Sequence, residues 1–178
     1  VVAVLDILNA PHPLLEGKAR EVAPDEFGPE LVQRLSDMAE TMYAAPGVGL
    51  AGPQVSDPRR ILVLDSGESE ERGRRFFAMC NPRIVERSAD HIPWNETCLS
   101  VPEFEIEVQR NRRVLVAWQD AADGSPREAW FEDYESVIVQ HEIDHLEGTV
   151  LLDRASRFKR GWYLKRVAKA RKREKVSA

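Results

Sequence analysis

Leu31, Leu35, Met38 and Met42 recur at three- and four-residue spacing, which predicts an amphipathic helix opened by Pro29 and running to about Ala45. Pro46-Gly47 ends it. A different period follows later: Phe104, Ile106 and Val108 alternate with Glu103, Glu105 and Glu107, the signature of a strand with one buried face. Residues 61–64 are wholly apolar and suit a short buried strand. Further strands are expected over 76–85, with a break near Pro82, and over 114–118; Asp123-Gly124 then turns the chain into a returning strand at 128–131. A second long helix is predicted over 134–146 and stopped by Gly148, and a third over 156–175. Residues 9–24 read as an extended segment, 47–53 as a loop of small residues, and 66–74 as an exposed turn.

Strands grouped before a long helix imply an α+β fold. Mainly antiparallel sheets surround the central helix 134–146, with a C-terminal helix added. The length of 178 residues fits one domain, with residues 1–155 as its body and 156–178 as a tail of the same unit. A hydrophobic content of 43% and a charged content of 31% suit a soluble protein. No apolar run is long enough for a membrane span. Residues 1–8 contain Asp6 and lack a basic n-region, so no secretory signal is expected. The two cysteines, Cys80 and Cys98, make no disulfide framework, and reduced thiols in the cytoplasm are expected.

Charge is divided unevenly. Residues 154–175 hold eleven Lys or Arg and one acid, Glu174, giving about +10; with a total of −5, the remainder is about −15. A basic tail on an acidic body suggests an anionic partner for the tail.

His141-Glu142-Ile143-Asp144-His145 forms an H-E-x-x-H motif on the predicted second helix. Histidines four residues apart share a helix face and can bind one metal ion, and the intervening glutamate can serve as general base on water. A third protein ligand is needed. Downstream acids are Glu147, Asp153 and Glu174: the first is too close to wrap back comfortably, and the last lies in the basic tail. No histidine follows His145, and His12 and His91 lie far upstream in proline-containing stretches. That leaves Cys98, whose thiolate suits Zn²⁺ or Fe²⁺, although a lone cysteine is more often a small buried hydrophobe. Gln140 and Asp144 either orient the ligands or face solvent.

Three motifs occur in order: Gly47-Val48-Gly49-Leu50-Ala51-Gly52-Pro53-Gln54, Glu96-Thr97-Cys98-Leu99-Ser100 and Gln140-His141-Glu142-Ile143-Asp144-His145-Leu146. Together they resemble the peptide deformylase family, over a region from Pro11-His12-Pro13-Leu14 to about Asp153. The resemblance implies a metal-dependent hydrolase that removes the N-formyl group from the N-terminal formyl-methionine of newly made polypeptides and releases formate. It implies that Cys98, His141 and His145 bind one divalent metal, natively often Fe²⁺, with Zn²⁺, Ni²⁺ or Co²⁺ as chemically acceptable occupants. Glu142 then matches the catalytic glutamate. The Gln54 side-chain amide and the Leu99 backbone N–H match the groups that face the substrate carbonyl. Val48, Trp94, Tyr134, Val137 and Ile138 neighbour the motifs and are candidates for a methionine pocket. Gly47 and Gly49 permit the close approach of a peptide added as a strand. In deformylases with a comparable C-terminal helix, that helix docks on the ribosome near the exit tunnel. Nascent N-formylmethionyl peptides are thus the expected partners, with the ribosome as a second through the tail. A cytoplasmic monomer without membrane contact is expected.

Two positions depart from the family pattern. Gly52 stands where Ala is usual, which implies a looser loop. Thr97 stands where Gly is usual, so either the site needs no positive φ there or its backbone differs locally. A metallopeptidase and a non-catalytic ribosome-associated relative are the competing readings. The first lacks the downstream ligand, and the second has no need of the Cys98, His141, His145, Glu142 and Gln54 set.

Overall fold

A computed structural model describes residues 2–67 and 72–177. Helix α1 (Pro13–Glu16) is a single turn, and α2 spans Pro29–Ala44. Strands β1 (Gly49–Ala51), β2 (Ile61–Asp65) and β3 (Phe76–Arg87) follow, then β4 (His91–Cys98), β5 (Val101–Asn111), β6 (Arg113–Gln119) and β7 (Pro126–Glu132). Helices α3 (Asp133–Leu146) and α4 (Arg157–Ser177) complete the chain. The strands form a five-stranded sheet of order β1-β2-β3-β6-β7 and a two-stranded ribbon, β4-β5, all pairings antiparallel.

Strand β2 is apolar throughout because both its faces are covered. Leu62 and Leu64 pack with Met79, Val114, Val116 and Phe131 against Ile138, Val139, Ile143 and Leu146 of α3. Ile61 and Val63 face the other way, with Leu50 and Cys80, against Leu31, Leu35, Met38 and Met42 of α2. The sheet is thus held between two helices, and α3 is central as expected. The break in β3 is real: the register slips between Cys80 and Arg83, and Asn81 takes φ 51°. Its side chain satisfies the Val22 N–H at 2.8 Å and donates to Gln119 Oε1 at 2.7 Å.

Gly148, at φ 77°, stops α3 where the left-handed conformation favours glycine. A Cβ there would also lie 2.6 Å from the Glu16 carbonyl oxygen, so the turn is fixed by packing as well as by dihedral.

Some segments differ from expectation. Residues 47–53 are not simply a loop: β1 pairs Leu50 with Val63 on the edge of the sheet, and a 3₁₀ turn at Gly52–Val55 follows. Three residues are too few for a period to show; pairing with β2 makes the strand. Residues 91–98 form β4, although Pro93 argues against a strand. A two-stranded ribbon leaves each strand one unpaired side, where proline is tolerated. The extended segment 9–24 is interrupted by α1, where His12 Nδ1 accepts from the Leu14 N–H at 3.2 Å. Of the turn expected at 66–74, residues 68–71 lie outside the described residues.

The tail is helical, and part of it is core. Tyr163 is 2% exposed, stacks edge-on with Phe104 at 5.2 Å and donates its hydroxyl to the Pro102 carbonyl at 3.0 Å. Phe158 and Trp162 on the same helix stay 84% and 55% exposed. Among the described residues, no helix is long and apolar enough to cross a membrane.

Candidate active site

Helix α3 supplies two imidazoles one turn apart, and the ribbon supplies a thiol. Cys98 ends β4, where the register shifts from the Thr97–Glu105 pair to Cys98–Val101 and the chain turns back. That turn brings Cys98 Sγ to 3.3 Å from His145 Nε2. Ligand atoms of Cys98, His141 and His145 all lie within 4.8 Å of one another, the one such group among the described residues. A tetrahedral ion held at about 2.3 Å from sulfur and 2.0 Å from nitrogen needs those atoms about 3.5 Å apart, so the three residues fit a metal. His12 and His91 take no part: His12 caps α1, and His91 Nε2 lies 3.2 Å from Asn111 Nδ2.

The imidazole of His141 is oriented from behind. Its Nδ1 bonds Glu96 Oε2 at 2.8 Å, which leaves Nε2 free for a ligand. Glu96 is itself buried, and Arg110 grips both its oxygens at 2.6 and 2.9 Å. Arg110 reaches on to Asp144 at 2.7 Å, and Arg154 binds both oxygens of Asp144 at 2.7 Å. Burial pushes the Glu96 carboxyl up, but Arg110 and His141 together hold it down at about 2. Asp144 thus belongs to the scaffold behind His141. Gln140, also buried, ties α3 to the ribbon end by donating to the Asn111 carbonyl at 2.9 Å.

Glu142 is 5% exposed, and its Oε2 is buried without a partner. Burial raises its carboxyl to about 7. Its side chain lies against the backbone of Gly49, where a Cβ would overlap Oε1 and stand 2.7 Å from Cδ. A side chain at Gly49 would therefore push the glutamate beside it out of this position. Gln54 is 2% exposed and fixed at both ends: Oε1 accepts from the Ala51 N–H at 2.8 Å, and Nε2 donates to Ser100 Oγ at 3.1 Å and toward Cys98 Sγ at 3.8 Å.

A cavity of about 670 Å³ opens onto this group. Gln54, Cys98, Leu99, His141 and Glu142 line it, as do Val48, Gly49, Trp94, Tyr134, Val137 and Ile138. Trp94 stacks on Tyr134 at 4.9 Å, and His145 lies deeper, 1% exposed. All the expected site residues are therefore brought together. Glu96 and Arg110 had no role assigned from sequence. Arg110 sits in the polar run Gln109–Arg113, but it continues the buried parity of Phe104, Ile106 and Val108. An arginine on the buried parity of a strand was the available signal.

The two departures take different forms. Gly52 is not loose: it is buried, and a methyl there would meet the carbonyl oxygens of Arg59 and Asp57 at 2.7 and 2.9 Å. Thr97 lies in regular β4 without positive φ, its side chain exposed on the cavity wall.

The polypeptide deformylase family model matches residues 4–161. The chain belongs to the polypeptide deformylase family. A peptide deformylase from Phenylobacterium zucineum is 42% identical over 169 residues, covering 94% of this chain and 97% of the relative. The crystal structure of a peptide deformylase from Ehrlichia chaffeensis superimposes with a TM-score of 0.85 at 34% identity, over 97% of this chain and 99% of that one. A class I type b peptide deformylase from Acinetobacter baumannii, solved with Met-Ala-Ser bound, matches with a TM-score of 0.80 at 31% identity, over 87% of this chain and 100% of that one. As a deformylase, the chain is a metal-dependent hydrolase that removes the N-formyl group from the formyl-methionine of newly made polypeptides and releases formate.

Proposed function

We propose that Cys98, His141 and His145 hold the metal of this deformylase, natively Fe²⁺, and that Glu142 moves the protons of the reaction. The observation that carries this reading is the 3.3 Å approach of Cys98 Sγ to His145 Nε2 beside a buried carboxylate oxygen with no partner. A bound divalent ion supplies Lewis acidity, lowering the pKa of water and polarising a carbonyl. Glu142 takes one proton from the attacking water as its oxygen bonds to the formyl carbon. It then returns that proton to the methionine nitrogen as the carbon–nitrogen bond breaks, leaving formate and a free amine. Gln54 Nε2, pinned through Oε1, and the Leu99 N–H stabilise the oxyanion formed on the way. Losing one such donor typically costs about 10²–10³ in rate.

Val48, Trp94, Tyr134, Val137 and Ile138 form the methionine pocket. The free edge of β1 at Gly49 accepts the peptide backbone as an added strand. Met-Ala-Ser, the peptide bound in the A. baumannii relative, is what remains when formyl-Met-Ala-Ser loses its formyl group, which supports this use of the cleft. The exposed Phe158 and Trp162, with the surrounding lysines and arginines of α4, support docking of the tail on ribosomal RNA. We read the protein as a cytoplasmic monomer working on nascent chains.

Formate release from formyl-Met-Ala-Ser by anaerobically purified, Fe²⁺-loaded protein tests the reading. Robust release is expected, and Glu142→Ala should abolish it while one metal per chain stays bound. Retained turnover in the metal-loaded variant would refute the role of Glu142.

A further inference from the structure

The side-chain charge lining the cleft is one-sided, and part of it has no role in the proposed chemistry. Glu96, Glu103, Glu105 and Glu142 line it, and among the described residues no lysine or arginine does. Three of these carboxylates are accounted for. Glu96 is buried on Arg110, Glu142 is buried beside the metal ligands, and Glu103 pairs with Arg166 at 3.2 Å. Glu105 is different: it is exposed on the cleft wall and has neither a cation nor a hydrogen-bond partner among the described residues.

Its placement is fixed by register. Glu105 pairs across the ribbon with Thr97, the residue before Cys98, and the next outward pair is Asn95 with Glu107. Directly paired residues in a ribbon share a face with Cα atoms roughly 5 Å apart, so Glu105 sits beside the end of the cleft marked by the metal ligands. Glu107, also exposed and unpartnered among the described residues, extends the same charge outward. The buried, unpartnered oxygen of Glu142 in the same cavity marks where the formyl end of a peptide reacts. From there an extended chain advances about 3.3 Å per residue, which leaves the next side chains within reach of Glu105. A formylated substrate has no N-terminal ammonium, so its first positive charge can only be a side chain beyond methionine. A carboxylate on the rim of a cleft lined by no lysine or arginine among the described residues raises the local concentration of such a substrate.

We propose that Glu105, reinforced by Glu107, makes this deformylase select peptides with lysine or arginine in the two positions after methionine over peptides with aspartate or glutamate there. The selection rests on the cleft being the formyl-peptide site described above. It acts on capture of the substrate, not on the chemical step.

The test compares formate release from formyl-Met-Lys-Ser, formyl-Met-Gln-Ser and formyl-Met-Glu-Ser, and from the set with the same substitutions in the third position. At low salt kcat/KM should fall in the order Lys, Gln, Glu, with about fivefold between the extremes at one position or both, carried by KM. The difference should vanish at 1 M salt, where screening acts within about 3 Å. Glu105→Gln should flatten the order, Glu105→Lys should invert it and Glu105→Asp should preserve it. Because the side chain is exposed, all three should melt with the parent protein. Equal values for Lys and Glu peptides at low salt, or discrimination that survives in Glu105→Gln, would overturn the proposal while turnover of the Gln peptides upheld the site. No release from any peptide would overturn both.

Discussion

Gly49 and Glu142 share a space that holds only one side chain: a methyl on Gly49 would overlap the carboxylate proposed to carry the protons. Gly49→Ala should therefore displace Glu142 while leaving the metal ligands on α3 and the ribbon in place. Displacement of a catalytic group by about 1 Å can cost 10²-fold. The variant should lose roughly that in kcat with full metal content, measured by formate release and metal analysis on one preparation.

Glu96 sets a pH dependence of stability. Its carboxyl is held at about 2 against an ordinary 4.5, because Arg110 and His141 outweigh the effect of burial. The folded state thus keeps Glu96 charged where the unfolded chain protonates it. The resulting stability is complete above pH 4.5 and disappears as pH falls from 4.5 toward 2; its size is about 3 kcal/mol. Urea unfolding between pH 5 and 2.5 should show a shallower acid slope in Glu96→Gln. Loss of the carboxylate behind His141 should also weaken metal affinity by about 10–100-fold.

Metal removal should soften the whole protein, since the proposed ligands lie on two separate parts of the fold. An ion present at about 1,000 times its Kd adds about 4 kcal/mol, which in a chain of this size moves the melting temperature by about 10 °C. Calorimetry before and after chelation reads this directly. In the Fe²⁺ form, oxidation of Cys98 removes its thiolate as a ligand. Activity should decay faster under air than under argon, and more slowly with Ni²⁺ or Co²⁺. Equal lifetimes in air and argon would argue against the thiolate–iron assignment.

Aromatic residues of α4 should divide by face. Tyr163→Ala removes a buried ring and should cost about 3 kcal/mol, whereas Trp162→Ala, at an exposed position, should change stability by less than about 0.5 kcal/mol. If the tail docks on ribosomes, Trp162→Ala and charge reversals at Lys169 and Lys172 should weaken that binding without lowering the melting temperature. Truncation before residue 157 would confuse the two effects, because it removes Tyr163 from the core.

Much of this architecture is legible in the chain because its periods are long. α2 announces itself through three- and four-residue spacing, α3 through the H-E-x-x-H pair and its glycine stop, and β5 through strict alternation. β1 and β4 do not, since one is three residues long and the other contains Pro93; both are strands by virtue of their partners. The site divides in the same way. The proposed ligands and base sit in short motifs that stand out along the chain. The Glu96–Arg110–Asp144 chain joins residues from β4, β5 and α3, and no local pattern points to it. Gly52 carries a further lesson: a missing methyl suggests slack in one dimension, but in three it records that two carbonyls have closed over the position.

Cys98 belongs to the ribbon, whereas both histidines ride on the helix that backs the five-stranded sheet. Neither half alone brings the three proposed ligands together. The proposed catalytic centre is therefore a property of the alignment between two bodies, and the cleft is the seam where they meet. Sequence drift inside either body can be absorbed locally by repacking. Drift that tilts one body against the other changes ligand spacing, oxyanion donors and pocket shape together, so affinity for metal and affinity for substrate should rise and fall as one trait.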